Sequence, residues 1–268
     1  MQICTFASGS SGNCALVSSG NTHILIDAGI SMRRVKNDLS ALGLLPEQLD
    51  GVLVTHEHSD HVSGLAMMTK HWQVPIFAPN LTAMHLHAML PNADIRMTAP
   101  GEHFDIGNIS VTAFPTMHDA DGSVGFRMDA DVSFSFCTDL GCVTDEVKDC
   151  IQGVDGAMIE ANHDVDMLRS GPYPYPLKRR ILSDHGHLSN DTCGQLACFL
   201  AENGARLVIL GHLSRENNRP EIAESAVRRA LEAEGYQPKL MVAPASEMLR
   251  VSLEGTYAGD KAHLCGQS

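Results

Sequence analysis

The segment Thr55-His56-Glu57-His58-Ser59-Asp60-His61 constrains this chain more than any other. It follows the apolar run Gly51-Val52-Leu53-Val54, read as a buried strand, so the cluster begins where a strand stops. Side chains alternate along extended backbone, which places His56 and His58 on one side. Asp60 and His61 then fall on the turn that follows. This spacing suits two cations held side by side, one on the histidine pair and one on the Asp–His pair.

The rest of the chain mixes strands and helices. Strands are expected at Cys14–Val17, His23–Ile26, Val74–Ala78, Ile109–Phe114, Gly125–Met128, Ser133–Cys137, Gly156–Ile159, Arg206–Leu210 and Lys239–Val242. Ser31 reads as the N-cap of a helix reaching Leu42, with Gly43 as its stop. Further helices are expected near Thr144–Ile151, Asn190–Asn203 and Glu221–Glu234, and Gly171–Pro176 reads as a loop. Interleaving of this kind favours layered α/β structure, with residues 1–268 as a single domain.

Bulk properties exclude several classes. No stretch approaches 18 consecutive apolar residues, and the N-terminus lacks a basic segment followed by an apolar one. A membrane span and a signal peptide are therefore not expected. The eight cysteines are scattered without a C-x-x-C pair and read as reduced thiols of a cytoplasmic protein. The net charge of -13 argues against broad affinity for nucleic acid, so any such contact is local. The 14 histidines are the informative excess.

Residues 56–61 match the H-x-H-x-D-H signature of the metallo-β-lactamase superfamily, and other segments resemble it in order. That resemblance implies a four-layer αββα sandwich with two divalent metal ions at one edge of its sheets. It implies His56, His58, Asp60, His61, His118, Asp139 and His212 as ligands, with Asp139 bridging the ions. Asp27 is implied as the residue that orients ligands by hydrogen bonds; a strand-end cap is its other reading. The donor set suits Zn, Mn or Fe, and two such ions about 3.5–4 Å apart can acidify a shared water towards a pKa of ~7.

The second half narrows the branch. Ile159–Asp164, Asp184–Asn190 and Leu210–Ser214 follow in an order similar to the tRNA-processing RNase Z branch, which implies a Glu160–His187 pair serving proton transfer to a leaving oxygen. A purely structural hydrogen bond is the alternative for that pair. Asn162 and His163 depart from the RNase Z pattern, and no long tRNA-binding arm is visible. Ser8–Asn13, Glu160–Asp164, Gly171–Pro174, Lys178–Ile181, Gly186–Asn190 and Leu213–Asn218 instead resemble the bacterial YycJ/WalJ-type group, nearly end to end. This implies a metal-dependent hydrolase, a phosphodiesterase with 5′→3′ exonuclease activity on duplex DNA and a link to mismatch repair, in which Asp60, Glu160 and His187 carry the chemistry.

Lys178-Arg179-Arg180 is the densest basic run, and with His163 it is a candidate for holding substrate phosphates. A solvated helix face is equally open for the run. Tyr173 or Tyr175 could stack a terminal base, and Ser8–Asn13 could form an anion loop or a tight turn. Hydrolysis of a small cyclic phosphodiester or thioester is the alternative activity. A di-iron redox module would need a flavin partner domain, for which this length leaves no room, and a non-catalytic accessory role fits poorly with a full ligand set. The oligomeric state stays open.

Overall fold

The computed structural model describes residues 1–255; residues 256–268, Cys265 among them, lie outside the described residues. The first sheet contains β1 (Gln2–Ala7), β2 (Cys14–Ser19), β3 (Thr22–Ile26), β4 (Gly51–Leu53), β5 (Ile76–Pro79) and β6 (Ile95–Thr98), with β14 (Leu249–Ser252) added beside β1. The second runs in space from β7 (His103–Ile106) through β8 (Ile109–Pro115), β9 (Val124–Asp129), β10 (Ser133–Cys137), β11 (Gly156–Glu160) and β12 (Leu207–Gly211) to β13 (Lys239–Val242). Each sheet has an antiparallel half and a parallel half. Strands β3 to β6 pair in parallel, as do β10 to β13.

Helices α1 (Met32–Ala41), α2 (Ser59–Val62), α3 (Leu65–His71) and α4 (Asn80–Met89) connect strands of the first sheet. Helices α5 (Asp145–Ile151), α6 (Val165–Ser170), α7 (Tyr175–Ile181), α8 (Asn190–Glu202) and α9 (Pro220–Ala233) accompany the second. Three apolar clusters mark the three interfaces between layers. Ile24 and Ile26 of β3 pack against Phe126 and Phe134 of the opposing sheet, while Leu25 between them packs outward with Val35 and Leu39 of α1. In β12, Leu207 and Ile209 face inward, whereas Val208 and Leu210 meet Leu196 of α8 and Val227 of α9. Strand side chains alternate between faces, so an unbroken apolar strand buries both sides only when helices cover the outer one. The expected αββα sandwich is what forms.

Local expectations hold in most places. Ser31 caps α1, accepting a hydrogen bond from the Arg34 amide at 3.4 Å, and Gly43 takes a φ of 78° just beyond it. The Gly171–Pro176 loop is shorter than expected: α7 begins at Tyr175, because Pro176 falls in the first helical turn, where its missing N–H costs nothing. Among the described residues no helix is long and apolar enough to cross a membrane.

Candidate metal centre and its cleft

The site is built where strands running in one direction end. Asp27 follows β3, the His56–His61 segment follows β4, and His118 follows β8. Asp139 follows β10, Glu160 closes β11 and His212 follows β12. The C-terminal ends of parallel strands leave room for ligands in open α/β sheets, and here two sheets contribute to one crevice. The chain extends from β4 as far as His58, and α2 then carries Asp60 and His61 on one helical turn. Gly29 lets the β3 loop close on that turn, since a Cβ there would lie 1.6 Å from the Asp60 carbonyl oxygen. Asp27, Asp139 and His212 hold φ values of 57°, 59° and 55°, a conformation that L-residues adopt only under constraint.

Two groups of donors converge. One is His56, His58 and His118; the other is Asp60, His61 and His212, with Asp139 beside His56 and His61. In each group the candidate donor atoms lie within 4.8 Å of one another. Four of the histidines have Nδ1 held from outside the cluster. His56 meets the Thr55 hydroxyl at 3.0 Å, and His61 meets Asp27 Oδ2 at 2.8 Å. His118 meets the Gly186 carbonyl at 3.1 Å, and His212 meets Glu160 Oε1 at 2.8 Å. Holding one ring nitrogen fixes the plane of the imidazole and aims the other into the centre. Asp27 therefore touches both the Thr55 backbone and His61, as an orienting residue would.

The donor set fits divalent cations on a direct observation. His56 Nε2, His212 Nε2 and Asp139 Oδ2 are buried and have no hydrogen-bond partner among the described residues. Buried polar atoms nearly always have partners, and these three point to a bound group that supplies one. The electrostatics agree. Burial pushes Asp139 up, yet the surrounding His212, His61, His56 and His118 hold it well below the usual carboxylate range. Burial lowers the proton affinity of His61, but Asp27 and Asp139 outweigh it and lift the group to about 10. Burial and the neighbouring His61 push His56 well down, so its imidazole stays neutral and keeps one nitrogen free to act as a ligand.

Glu160 is more deeply involved than its sequence context suggests. Its Oε1 accepts from Nδ1 of His187 and of His212, both at 2.8 Å. Its Oε2 accepts from the Leu140 amide at 2.9 Å and the Leu188 amide at 3.1 Å. Burial favours the neutral acid, but His187 and His212 overcome it and bring Glu160 down to about 2. A carboxylate with four donors is ionised and immobile. His187 is shifted upward against its own burial, chiefly by that carboxylate.

Ser10, Asp119, Tyr173, Arg180, His187 and Ser214 contribute to a cleft of about 180 Å³ at the centre. The expected basic run divides here. Arg180 lines the cleft and pairs with Asp119, whose other oxygen lies 3.1 Å from His118 Nε2. Lys178 is corrected: its ammonium donates to the carbonyls of Arg169 and Gly171, both at 2.7 Å, where it closes α6 instead of facing the cleft. Arg179 is exposed outside the cleft lining, and Tyr175 is 73% exposed. His163 does not line this cleft: it is buried to 1% exposure, burial pulls it down to about 4, and it lines a different cavity. Beside His212, Asn217 is fully buried and Arg215 donates to the Ser11 hydroxyl at 2.7 Å.

Three contacts went unread in the sequence. The Asn13 side-chain amide stands 3.0 Å from His61 Nε2 and 3.4 Å from Asp60 Oδ2, so the Ser8–Asn13 loop braces the cluster. Asn162 donates to the His212 carbonyl at 2.9 Å. Asp119 follows His118 directly, and that tandem was the available signal.

Residues 22–213 match the family model described as "Beta-lactamase superfamily domain". Exodeoxyribonuclease WalJ of Streptococcus pneumoniae is 39% identical over 223 residues, covering 81% of this chain and 83% of that one. Exodeoxyribonuclease YycJ of Bacillus anthracis is 34% identical over 240 residues, covering 88% and 91%. The solved structure of Zn²⁺-bound PqqB from Methylobacterium extorquens has the same fold, with a TM-score of 0.69, 19% identity, and 94% and 100% coverage. The crevice of histidines and carboxylates between two sheets, and the matched sequence around it, establish that this chain belongs to the metallo-β-lactamase superfamily.

Proposed function

We propose that this protein is a dinuclear metal-dependent phosphodiesterase that removes nucleotides from the 5′ ends of duplex DNA. The observation that carries the reading is the buried Glu160 carboxylate bonded at once to His187 in the cleft and His212 in the cluster. The exodeoxyribonuclease relatives supply the substrate class. His56, His58 and His118 would hold one Zn, Mn or Fe ion and Asp60, His61 and His212 a second, with Asp139 as a further carboxylate ligand. Bound there, divalent cations supply Lewis acidity and a water acidified towards neutral pH.

The chain's own groups do the rest. Arg180 holds a substrate phosphate once it is released from Asp119, and Tyr173 offers a face to a base. Glu160 fixes Nδ1 of His187 and raises its basicity, so the imidazolium carries a proton on Nε2. As hydroxide, its proton already given up to solvent, bonds to phosphorus, the bond from phosphorus to the leaving oxygen breaks, and His187 gives that oxygen its proton. The seven described cysteines are unpaired thiols, in keeping with a reducing compartment such as the cytoplasm.

The test is digestion of 5′-phosphorylated linear duplex DNA by metal-loaded protein, beside Asp60→Ala and His187→Ala. Stepwise loss of 5′ nucleotides with Mn²⁺ or Zn²⁺, abolished in Asp60→Ala and reduced about 10²–10⁴-fold in His187→Ala, is expected. Intact DNA under both metals would overturn the nuclease assignment and move the substrate to a small phosphodiester or thioester.

A further inference from the structure

Behind the cleft lies a second cavity of about 540 Å³, bounded by α5, α6 and α8. Among the described residues, His187 is the one that lines both. The cleft side of that imidazole belongs to the site described above; the far side has been given no task.

Two features mark this cavity as a binding site. The first is His163, which lines it while buried to 1% exposure, with neither ring nitrogen hydrogen-bonded among the described residues. A buried polar group without a partner calls for one, and imidazole always carries at least one N–H to donate. The second is charge. Lys148 of α5 and Arg169 of α6 line the same cavity, and neither is in an ion pair among the described residues. Ser189 and Thr192, at the capped start of α8, line it as well with their hydroxyl-bearing side chains. Asp184 is the lining carboxylate, outnumbered by the cations. Phe199 and Leu196 supply an apolar wall. Cations and hydroxyls beside an apolar wall select an anion attached to a flat, apolar body. The volume falls within the range of small-molecule pockets.

We infer that this cavity binds the phosphate monoester of a nucleotide, held by Lys148 and Arg169, with His163 as its buried donor. The choice of a nucleotide rests on the reading of the neighbouring site as a nuclease; the phosphate site itself does not. Two sources share this chemistry: the 5′-phosphate end of the substrate strand, and the 5′-mononucleotide released from it.

The experiment is calorimetric titration of 2′-deoxyadenosine 5′-monophosphate into the metal-loaded full chain. It is run on wild type, on Lys148→Ala/Arg169→Ala, and on Arg33→Ala/Lys36→Ala, which removes the same charge from α1 on the opposite layer. Deoxyadenosine is the neutral probe. The metal cluster is untouched in all three proteins, so a difference between them reports the second cavity. Expected are a tenfold or greater loss of affinity in Lys148→Ala/Arg169→Ala, none in Arg33→Ala/Lys36→Ala, and tenfold weaker binding of deoxyadenosine to wild type. Equal affinity in wild type and Lys148→Ala/Arg169→Ala, or no binding of the monophosphate, overturns the inference. DNA cleavage with unaltered nucleotide binding would sink this inference and leave the nuclease reading standing; selective loss of binding in a protein that cleaves no DNA would do the reverse. A wild-type preference for 5′-phosphorylated over 5′-hydroxyl duplex that the double variant loses identifies the strand end as the source. Stronger inhibition of wild type than of the double variant by added monophosphate, with both ends cleaved alike, identifies the product.

Discussion

At the scale of single residues, Glu160 has the most to lose. Glu160→Gln replaces an acceptor oxygen by an NH₂ that faces N–H donors, either the two imidazoles or the Leu140 and Leu188 amides. A fall in kcat of about 10²–10⁴ with KM little changed is expected, together with reduced metal content, since both histidines lose their anchor. Steady-state kinetics and metal analysis on the same preparation check it. His61 and His212 are both shifted upward and hold protons at pH 7 in the metal-free protein. A cation must displace those protons, so metal uptake releases them and affinity rises with pH up to about 10, the value to which Asp27 and Asp139 lift His61. Calorimetry in two buffers of different ionisation enthalpy counts them, and Asp27→Asn is expected to release fewer. The donors were legible in the sequence because four of them crowd into six residues. Asn13 and Asp119 were not, because their roles depend on a fold that brings position 13 against position 61 and Arg180 across to position 119.

Elements were legible where one apolar pattern dominated. Strands β3, β4 and β12 announce themselves as apolar runs, and Ser31, Thr144 and Ser189 each cap a helix with a side-chain oxygen. Helix α4 did not, because Leu81, Met84 and Met89 are exposed while Ala83 and Leu86 are buried, so apolar residues lie on both faces and no stripe stands out. The junction between β3 and α2 is the tightest in the site. Gly29→Ala drives a methyl into the Asp60 carbonyl. The backbone has to yield, which displaces Asp60 and His61 together. Metal affinity is expected to fall about 10–100-fold, measured by competition with a chelating dye, with a clear drop in Tm.

For the molecule as a whole, stability and substrate binding draw on different surfaces. Phe126 is fully buried between the sheets, and Phe126→Ala is expected to cost about 3–5 kcal/mol, read by chemical denaturation. The net charge of -13 leaves few cations to meet DNA. A slope of about -2 to -3 in log affinity against log salt is therefore expected from binding measured between 50 and 200 mM NaCl; a slope near -10 would overturn this reading of a local contact. The layered architecture was readable because both sheets bury alternating faces in three separate clusters; the second cavity was not, since it exists only where α5, α6 and α8 meet.

The left-handed backbone at Asp27, Asp139 and His212 sets stability against activity. Glycine adopts such a φ freely, so Asp139→Gly and His212→Gly each relieve a strained turn, and each also deletes a buried polar atom that lacks a partner in the metal-free chain. Directed evolution for heat resistance alone would drift towards these substitutions and return a robust but inert scaffold. A thermostable version of this protein has to be selected under turnover, with metal present.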